Sequence, residues 1–253
     1  MIDAEIQIKE MQANKGNDII HQWLKQHQLT PFEFQEQAWQ AILNGQSGLI
    51  NAPTGCGKTY SVFLGALMQF IQFNPTNWKT KNNNGLQLLW ITPLRALAKD
   101  IGRAMEEVIE QLGLQWKVAI RNGDTSTSDR AKQKKQMPEV LIITPESLHL
   151  LLTQKNYPNY FNSLKILAVD EWHELMGSKR GVQTELAISR IAHCTTELQV
   201  WGISATIGNL AESKNVLLAP LRKEGIIIKA EIDKPIEVHT IIPEEIDQYP
   251  WAG

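Results

Sequence analysis

Short apolar runs recur along the chain, and helical patterns separate them. Residues 47–51, 86–91, 117–120, 140–144, 166–170, 199–204 and 226–230 read as strands. Several, such as LQLLWI and ILAV, are apolar without alternation, as expected of strands buried on both faces of a parallel sheet. The intervening segments have helical spacing. Phe63, Leu64, Leu67, Met68 and Ile71 form one apolar stripe, and Leu97, Ile101, Ala104, Met105, Val108, Ile109 and Leu112 form another. Two further helices are predicted over 18–28 and 34–43, with Thr30 as the N-cap of the second and Pro31 at its first position. Strand–helix alternation predicts a doubly wound α/β fold, whose ligands gather where strands end at their carboxyl side.

The polar stretch NPTNWKTKNNNG, residues 74–85, reads as an exposed loop. After residue 222 the pattern loosens into one or two strands and an extended tail. Three parts follow: a helical extension over 1–28, the α/β body over 29–222, and a strand and linker over 223–253.

Composition narrows the function classes. The chain has 253 residues, 43% hydrophobic and 21% charged, an ordinary globular balance. No apolar run reaches the roughly 18 residues needed to span a bilayer, and the amino terminus lacks a signal-like apolar region, so no membrane role is expected. Two cysteines, Cys56 and Cys194, argue against a disulfide framework or a zinc site and make a reducing cytoplasm the default. The formal net charge of −2 argues against binding nucleic acid by broad phosphate neutralisation. Any such binding must use local groups: loop amides, helix starts and a few hydroxyls.

The strand ends carry unusual residues. APTGCGKT, Ala52 to Thr59, follows a strand and opens a helix, the context of a phosphate-binding P-loop. Gly55 and Gly57 permit a tight turn whose N–H groups point inward at phosphate oxygens. Lys58 supplies a charge for the β and γ phosphates, and Thr59 a hydroxyl for Mg²⁺. ILAVDEWH places Asp170 and Glu171 at the end of a buried strand, where two carboxylates are costly without a cation. With a P-loop on a neighbouring strand, that cation is Mg²⁺. Asp170 is expected to hold the metal through water, and Glu171 to orient and deprotonate the attacking water.

Four segments in fixed order extend the pattern: APTGCGKT, TPLRAL (Thr92 to Leu97), DEWH (Asp170 to His173) and SAT (Ser204 to Thr206). Between them lie RNGDT and TPES, and upstream lies TPFEFQ. Singly these are bland; TPLRAL reads as a helix start capped by Thr92, TPES as another with Glu146 in its first turn, and SAT as a strand end. Together they resemble motifs I, Ia, II and III, the GG-like and Ib motifs, and the Q-motif of superfamily 2 DExH helicases. Within that superfamily the chain is most similar to the large helicase-related group, especially the bacterial DExH helicases associated with DNA ligase.

The resemblance implies a RecA-like P-loop domain, mostly parallel with helices on both faces, that uses ATP and Mg²⁺. It implies that Gln35 reads adenine and that Thr54, Gly55, Cys56, Gly57, Lys58 and Thr59 hold the triphosphate. Asp170 and Glu171 would serve metal and water, and His173 would link the γ-phosphate site to Ser204 and Thr206, which couple hydrolysis to strand movement. Thr92, Arg95, Gly123, Asp124, Thr125 and Thr144 would face nucleic acid, with single-stranded DNA the implied substrate and DNA ligase or nuclease repair proteins the implied partners. No segment resembles the family's second RecA-like domain, which supplies arginine fingers, so the chain alone is expected to bind ATP weakly, hydrolyse it slowly and unwind nothing. Two other readings stay open: an RNA helicase of the same superfamily, and a non-catalytic ATP-binding scaffold.

Overall fold

The computed structural model describes residues 14–195, 197–205 and 207–231. They form a seven-stranded sheet in which all observed pairings are parallel. The strands are β1 (Gly48–Asn51), β2 (Leu88–Ile91), β3 (Val118–Arg121), β4 (Val140–Ile143), β5 (Ile166–Val169), β6 (Gln199–Ser204) and β7 (Ile226–Lys229), in spatial order β3-β4-β2-β5-β6-β1-β7. Each predicted strand is present, with ends shifted by at most two residues. Because the strands run the same way, all their carboxyl ends, and the loops that leave them, lie along one rim.

The strands are apolar on both sides because both faces are covered. Ile50, Leu88, Trp90, Val140, Ile142, Ile166, Ala168, Trp201 and Ile203 point into one core. Their neighbours Leu49, Leu89, Ile91, Leu141, Ile143, Leu167, Val169 and Val200 point into the other. The first core is closed by helices α1 (Lys15–Gln26), α2 (Glu33–Leu43), α3 (Lys58–Phe73) and α4 (Arg95–Leu112). After β3 come α5 (Thr127–Lys135), α6 (Pro145–Leu152), the short α7 (Tyr157–Phe161) and α8 (Trp172–Leu175), then α9 (Lys179–Ala192) and α10 (Leu210–Leu218). Of these, α6 to α10 close the second core. Among the described residues no helix is long and apolar enough to cross a membrane.

Helix α1 packs into this body. It contributes Ile20, Trp23 and Leu24 to the first core, and Gly16 sits so close to α3 that a Cβ there would meet the Met68 carbonyl oxygen at 2.1 Å. At the other end, β7 pairs in register with β1, Gly48 opposite Ile226. The expected tail beyond it lies outside the described residues, apart from its first positions.

Two expectations need correction. Helix α2 starts at Glu33 with Phe32 as its N-cap, not at Pro31 behind Thr30. The reason is a reciprocal cap: the Phe32 N–H donates to Gln35 Oε1 at 2.9 Å, and the Gln35 N–H donates to the Phe32 carbonyl at 2.9 Å. The strand bearing the acidic pair also does not adjoin the P-loop strand. β6 lies between β5 and β1, so the SAT segment occupies the middle of the site.

Candidate nucleotide and nucleic-acid site

The P-loop turns between β1 and α3 on two left-handed glycines, Gly55 (φ 76°) and Gly57 (φ 68°). Gly57 is the N-cap of α3, so the unpaired N–H groups and positive end of a sixteen-residue helix face the loop's interior. A Cβ at Gly57 would stand 2.8 Å from Gln35 Nε2. Gln35 is buried, and its side-chain amide donates to the Gly57 carbonyl at 2.9 Å. With its oxygen taken by Phe32, this glutamine ties the segment ahead of α2 to the P-loop. Cys56 is buried beneath the loop, its thiol 3.9 Å from the Thr54 carbonyl, and Thr59 is half-buried.

Lys58 is 8% exposed, and its Nζ has no hydrogen-bond partner among the described residues. Its nearest anion is Glu171 Oε1 at 3.8 Å, too far for a hydrogen bond. A buried ammonium without acceptors is costly, and a phosphate oxygen between Lys58 and the glycine turn would satisfy it. That orphaned cation, inside a turn that exposes amides, fits a triphosphate.

Asp170 and Glu171 leave β5 at the same rim. Asp170 is buried, and burial pushes its carboxyl up from the ordinary 3.8 to about 6, with the Glu171 charge adding to the rise. The Glu171 N–H, which donates to Asp170 Oδ1 at 3.0 Å, and the Lys58 charge oppose it. A carboxyl held this high is poised for a cation, and with the Thr59 hydroxyl it fits a site for Mg²⁺. Glu171 adopts the left-handed conformation (φ 47°), which costs a non-glycine residue roughly 1–3 kcal/mol. Neighbouring contacts fix the segment that bears it. Trp172 is fully buried and its indole donates to the Ser213 carbonyl at 3.1 Å. His173 Nδ1 lies 3.0 Å from the Ser204 hydroxyl and 3.4 Å from Glu171 Oε2. Motifs I, II and III thus meet through side chains: Lys58 to Glu171, Glu171 to His173, His173 to Ser204. Thr206 lies outside the described residues.

The candidates for nucleic-acid contact divide. Arg95, Gly123 and Asp124 are exposed together: Arg95 Nη1 is 3.4 Å from Asp124 Oδ1, and the guanidinium covers Gly123, where a Cβ would approach it to 2.7 Å. Thr125 is turned into its own loop, its hydroxyl accepting from the Asn122 N–H at 2.9 Å and donating to the Ile120 carbonyl at 3.2 Å. The side chains of Thr92 and Thr144 are buried, so any contact at these positions falls to the loop amides and helix starts beside them. The Thr92 hydroxyl accepts from the Leu94 N–H at 3.4 Å, and the Thr144 hydroxyl donates to Ser147 Oγ at 3.1 Å. Both close the turns that start α4 and α6. Leu94, not Thr92, is the N-cap of α4.

Sequence reading missed Arg180, on α9. Its Nε donates to Glu146 Oε1 at 2.5 Å and its Nη1 to the Pro93 carbonyl at 3.2 Å. These partners lie 34 and 87 positions away, so no local pattern could signal them. It also missed Arg121 and Arg130, which brace the Asn122–Thr125 turn from beneath. Arg121 is buried against Gln133, and Arg130 donates to the Asn122 carbonyl at 2.9 Å.

The family model for DEAD/DEAH box helicases matches residues 32–213. The chain is 32% identical over 234 residues to the ATP-dependent helicase Lhr-Core of Methanocaldococcus jannaschii, a match covering 88% of this chain and 27% of that protein. It therefore spans about a quarter of the length of that curated relative. Among solved structures it resembles Mycobacterium smegmatis helicase Lhr bound to ssDNA and AMP-PNP, with a TM-score of 0.73 and 31% identity over 85% of this chain and 28% of that one. It also resembles the DUF1998 helicase MrfA bound to DNA, with a TM-score of 0.66 and 25% identity over 78% of this chain and 27% of that one. The chain belongs to the DEAD/DEAH box helicase family, and its described residues form the first RecA-like domain of a superfamily 2 DExH helicase.

Proposed function

We propose that this chain is the ATP-binding motor domain of an ATP-dependent helicase or translocase that moves on single-stranded DNA. The observation that carries the reading is the buried, unpartnered Lys58 ammonium 3.8 Å from Glu171, inside a left-handed glycine turn. Lys58 and the turn's amides bind the β and γ phosphates. Thr59 and Asp170 hold Mg²⁺, which when bound supplies positive charge to the phosphates. Glu171 accepts the proton of the attacking water, and His173 holds the Glu171 carboxylate in place. Ser204 passes the state of that carboxylate to β6. Gln35 reads the adenine edge or holds the P-loop that does the binding.

Single-stranded DNA is favoured because the M. smegmatis relative, at 31% identity, is bound to ssDNA. Arg95, the Gly123–Thr125 turn and the loop amides and helix starts that follow Thr92 and Thr144 grip the backbone. By family resemblance the 223–253 strand and linker would join a second RecA-like domain whose arginines complete the γ-phosphate site, as arginine fingers worth about 10³–10⁵ in rate do in other phosphoryl-transfer enzymes. A DNA-repair setting in the cytoplasm, with ligase or nuclease partners, completes the reading.

The test is ATP hydrolysis with oligo(dT), oligo(U) or neither, for wild type, Lys58→Ala and Glu171→Gln. Expected is slow hydrolysis that oligo(dT) stimulates and that both substitutions abolish. Stimulation by oligo(U) alone would establish the RNA reading, and ATP binding with no hydrolysis above that of Glu171→Gln would leave an ATP-binding scaffold.

A further inference from the structure

The loops that follow β2 and β4 leave neighbouring strands at the same rim, Ile91 opposite Ile143. The first carries Pro93 and opens α4; the second carries Thr144 and opens α6. Among the described residues no backbone hydrogen bond of the sheet extends past Thr92 and Thr144 to fix their separation. One side chain spans them. Arg180 donates through Nε to Glu146 in the first turn of α6 and through Nη1 to the Pro93 carbonyl. The planar fork of a guanidinium sets the distance and angle between two acceptors, which an ammonium cannot do.

The arginine is itself anchored. Ser178 caps α9, its hydroxyl accepting from the Gly181 N–H at 3.1 Å and donating to the Leu175 carbonyl at 2.6 Å. Gly181 lies so close to that carbonyl that a Cβ would meet it at 2.1 Å. The start of α9 is therefore locked onto α8, the turn that follows the acidic pair. Arg180 and Glu146 are each 44% exposed. An ion pair that exposed contributes little to stability, so the fold does not explain why the arginine reaches two loops at once.

We propose that Arg180 is a positioning residue that holds the loops after β2 and β4 at one spacing, so that both engage the same nucleic-acid strand in register. The proposal rests on reading those loops as strand-facing. Arg180 does not touch the strand; it sets the geometry of the groups that do.

The test is binding of fluorescent oligo(dT) and oligo(U) by the chain across a salt series, with a thermal melt of each variant. For Arg180→Ala, affinity is expected to fall at least about fivefold, a typical coupling magnitude, with the slope of log affinity against log salt unchanged. Arg180→Lys and Glu146→Gln, milder changes that keep the chain folded, should fall part of the way. The double variant E146R/R180E restores an ion pair but leaves no donor for Pro93, so its melting temperature should stay at the wild-type value while its affinity stays low. An affinity unchanged in Arg180→Ala, or in Arg180→Lys should the alanine variant not fold, would overturn the proposal. So would recovery of affinity in the double variant, or a salt slope reduced by about 0.7, the signature of one lost phosphate contact. Wild type that binds neither oligonucleotide would instead remove the strand-facing reading, and this proposal with it.

Discussion

The Ser204 hydroxyl lies 3.0 Å from Nδ1 of His173, and the same nitrogen lies 3.4 Å from Glu171 Oε2. One imidazole thus joins the end of β6 to the carboxylate placed to activate water. Loss of the contact should spare nucleotide binding, because neither residue belongs to the P-loop. Ser204→Ala and His173→Ala should leave affinity for a non-hydrolysable ATP analogue within about twofold of wild type, while oligo(dT)-stimulated turnover falls roughly tenfold. Parallel binding and steady-state measurements check this; equal losses in both would show that the contact only supports the P-loop.

Asp170 makes the nucleotide-free protein sensitive to pH. Its folded carboxyl titrates near 6 and its ordinary value is 3.8, so the folded state holds the proton more tightly than the unfolded chain. This group favours folding below about pH 4, and the benefit is lost as pH rises through about 6. The difference corresponds to about 3 kcal/mol once both states are ionised. Asp170→Asn should therefore raise the melting temperature at pH 7.5 without nucleotide or metal and flatten the decline between pH 4.5 and 7. Mg²⁺ requires the carboxylate, so Mg²⁺-dependent ATP binding should weaken below pH 6 in wild type and be lost in the variant. Melts over that range, with and without Mg²⁺ and nucleotide, measure both effects.

Arg95 pairs with Asp124, Nη1 to Oδ1 at 3.4 Å. The pair is more than half exposed on both sides, so it contributes about 0–1 kcal/mol to stability. A phosphate and the Asp124 carboxylate compete for the same guanidinium. Asp124→Asn should tighten oligo(dT) binding by up to about fivefold, the equivalent of that energy. Arg95→Ala should weaken binding and lower the salt slope by about 0.7. Fluorescence titrations at several ionic strengths check both signs, and weaker binding by Asp124→Asn would show that the carboxylate positions Arg95 for the strand instead of competing for it.

The parts of the site that sequence made legible are those written in contiguous residues. A P-loop requires glycines, a lysine and a hydroxyl within eight positions, and strand and helix periodicity located it between β1 and α3. Asp170 and Glu171 were equally plain, because a buried strand ending in two carboxylates has few inexpensive explanations. What stayed hidden was set by crossovers and long-range contacts. Nothing in the periodicity says that β6 separates β5 from β1, and so that Ser204 meets His173. The burial of the Thr92 and Thr144 hydroxyls was not legible either, because a threonine before proline has the same local pattern whether it faces solvent or closes a turn. The cap of α2 was placed too early for a similar reason: Thr30-Pro31 has the letters of a helix start, but Gln35 supplies a stronger cap at Phe32, two residues later.

Gln35 separates two ideas of what a Q-motif glutamine does. Its oxygen accepts from the Phe32 N–H and its nitrogen donates to the Gly57 carbonyl, both at 2.9 Å. A residue so engaged acts on ATP through the P-loop, since Gly57 is the N-cap whose left-handed turn aims the amides of α3. Removing it takes one of two donors from the Gly57 carbonyl, which keeps the Tyr60 N–H at 3.0 Å, and frees the Phe32 N–H of an exposed residue, so the loss is about 0.5–1.5 kcal/mol for each hydrogen bond. Gln35→Ala should lower the melting temperature and weaken binding of ATP and GTP by the same factor, because the P-loop touches only phosphates. If the glutamine instead leaves Gly57 to read adenine, ATP binding alone should weaken and the preference for ATP over GTP should vanish. Titrating wild type and Gln35→Ala with fluorescent analogues of both nucleotides distinguishes the two, and the geometry at Gly57 favours the first.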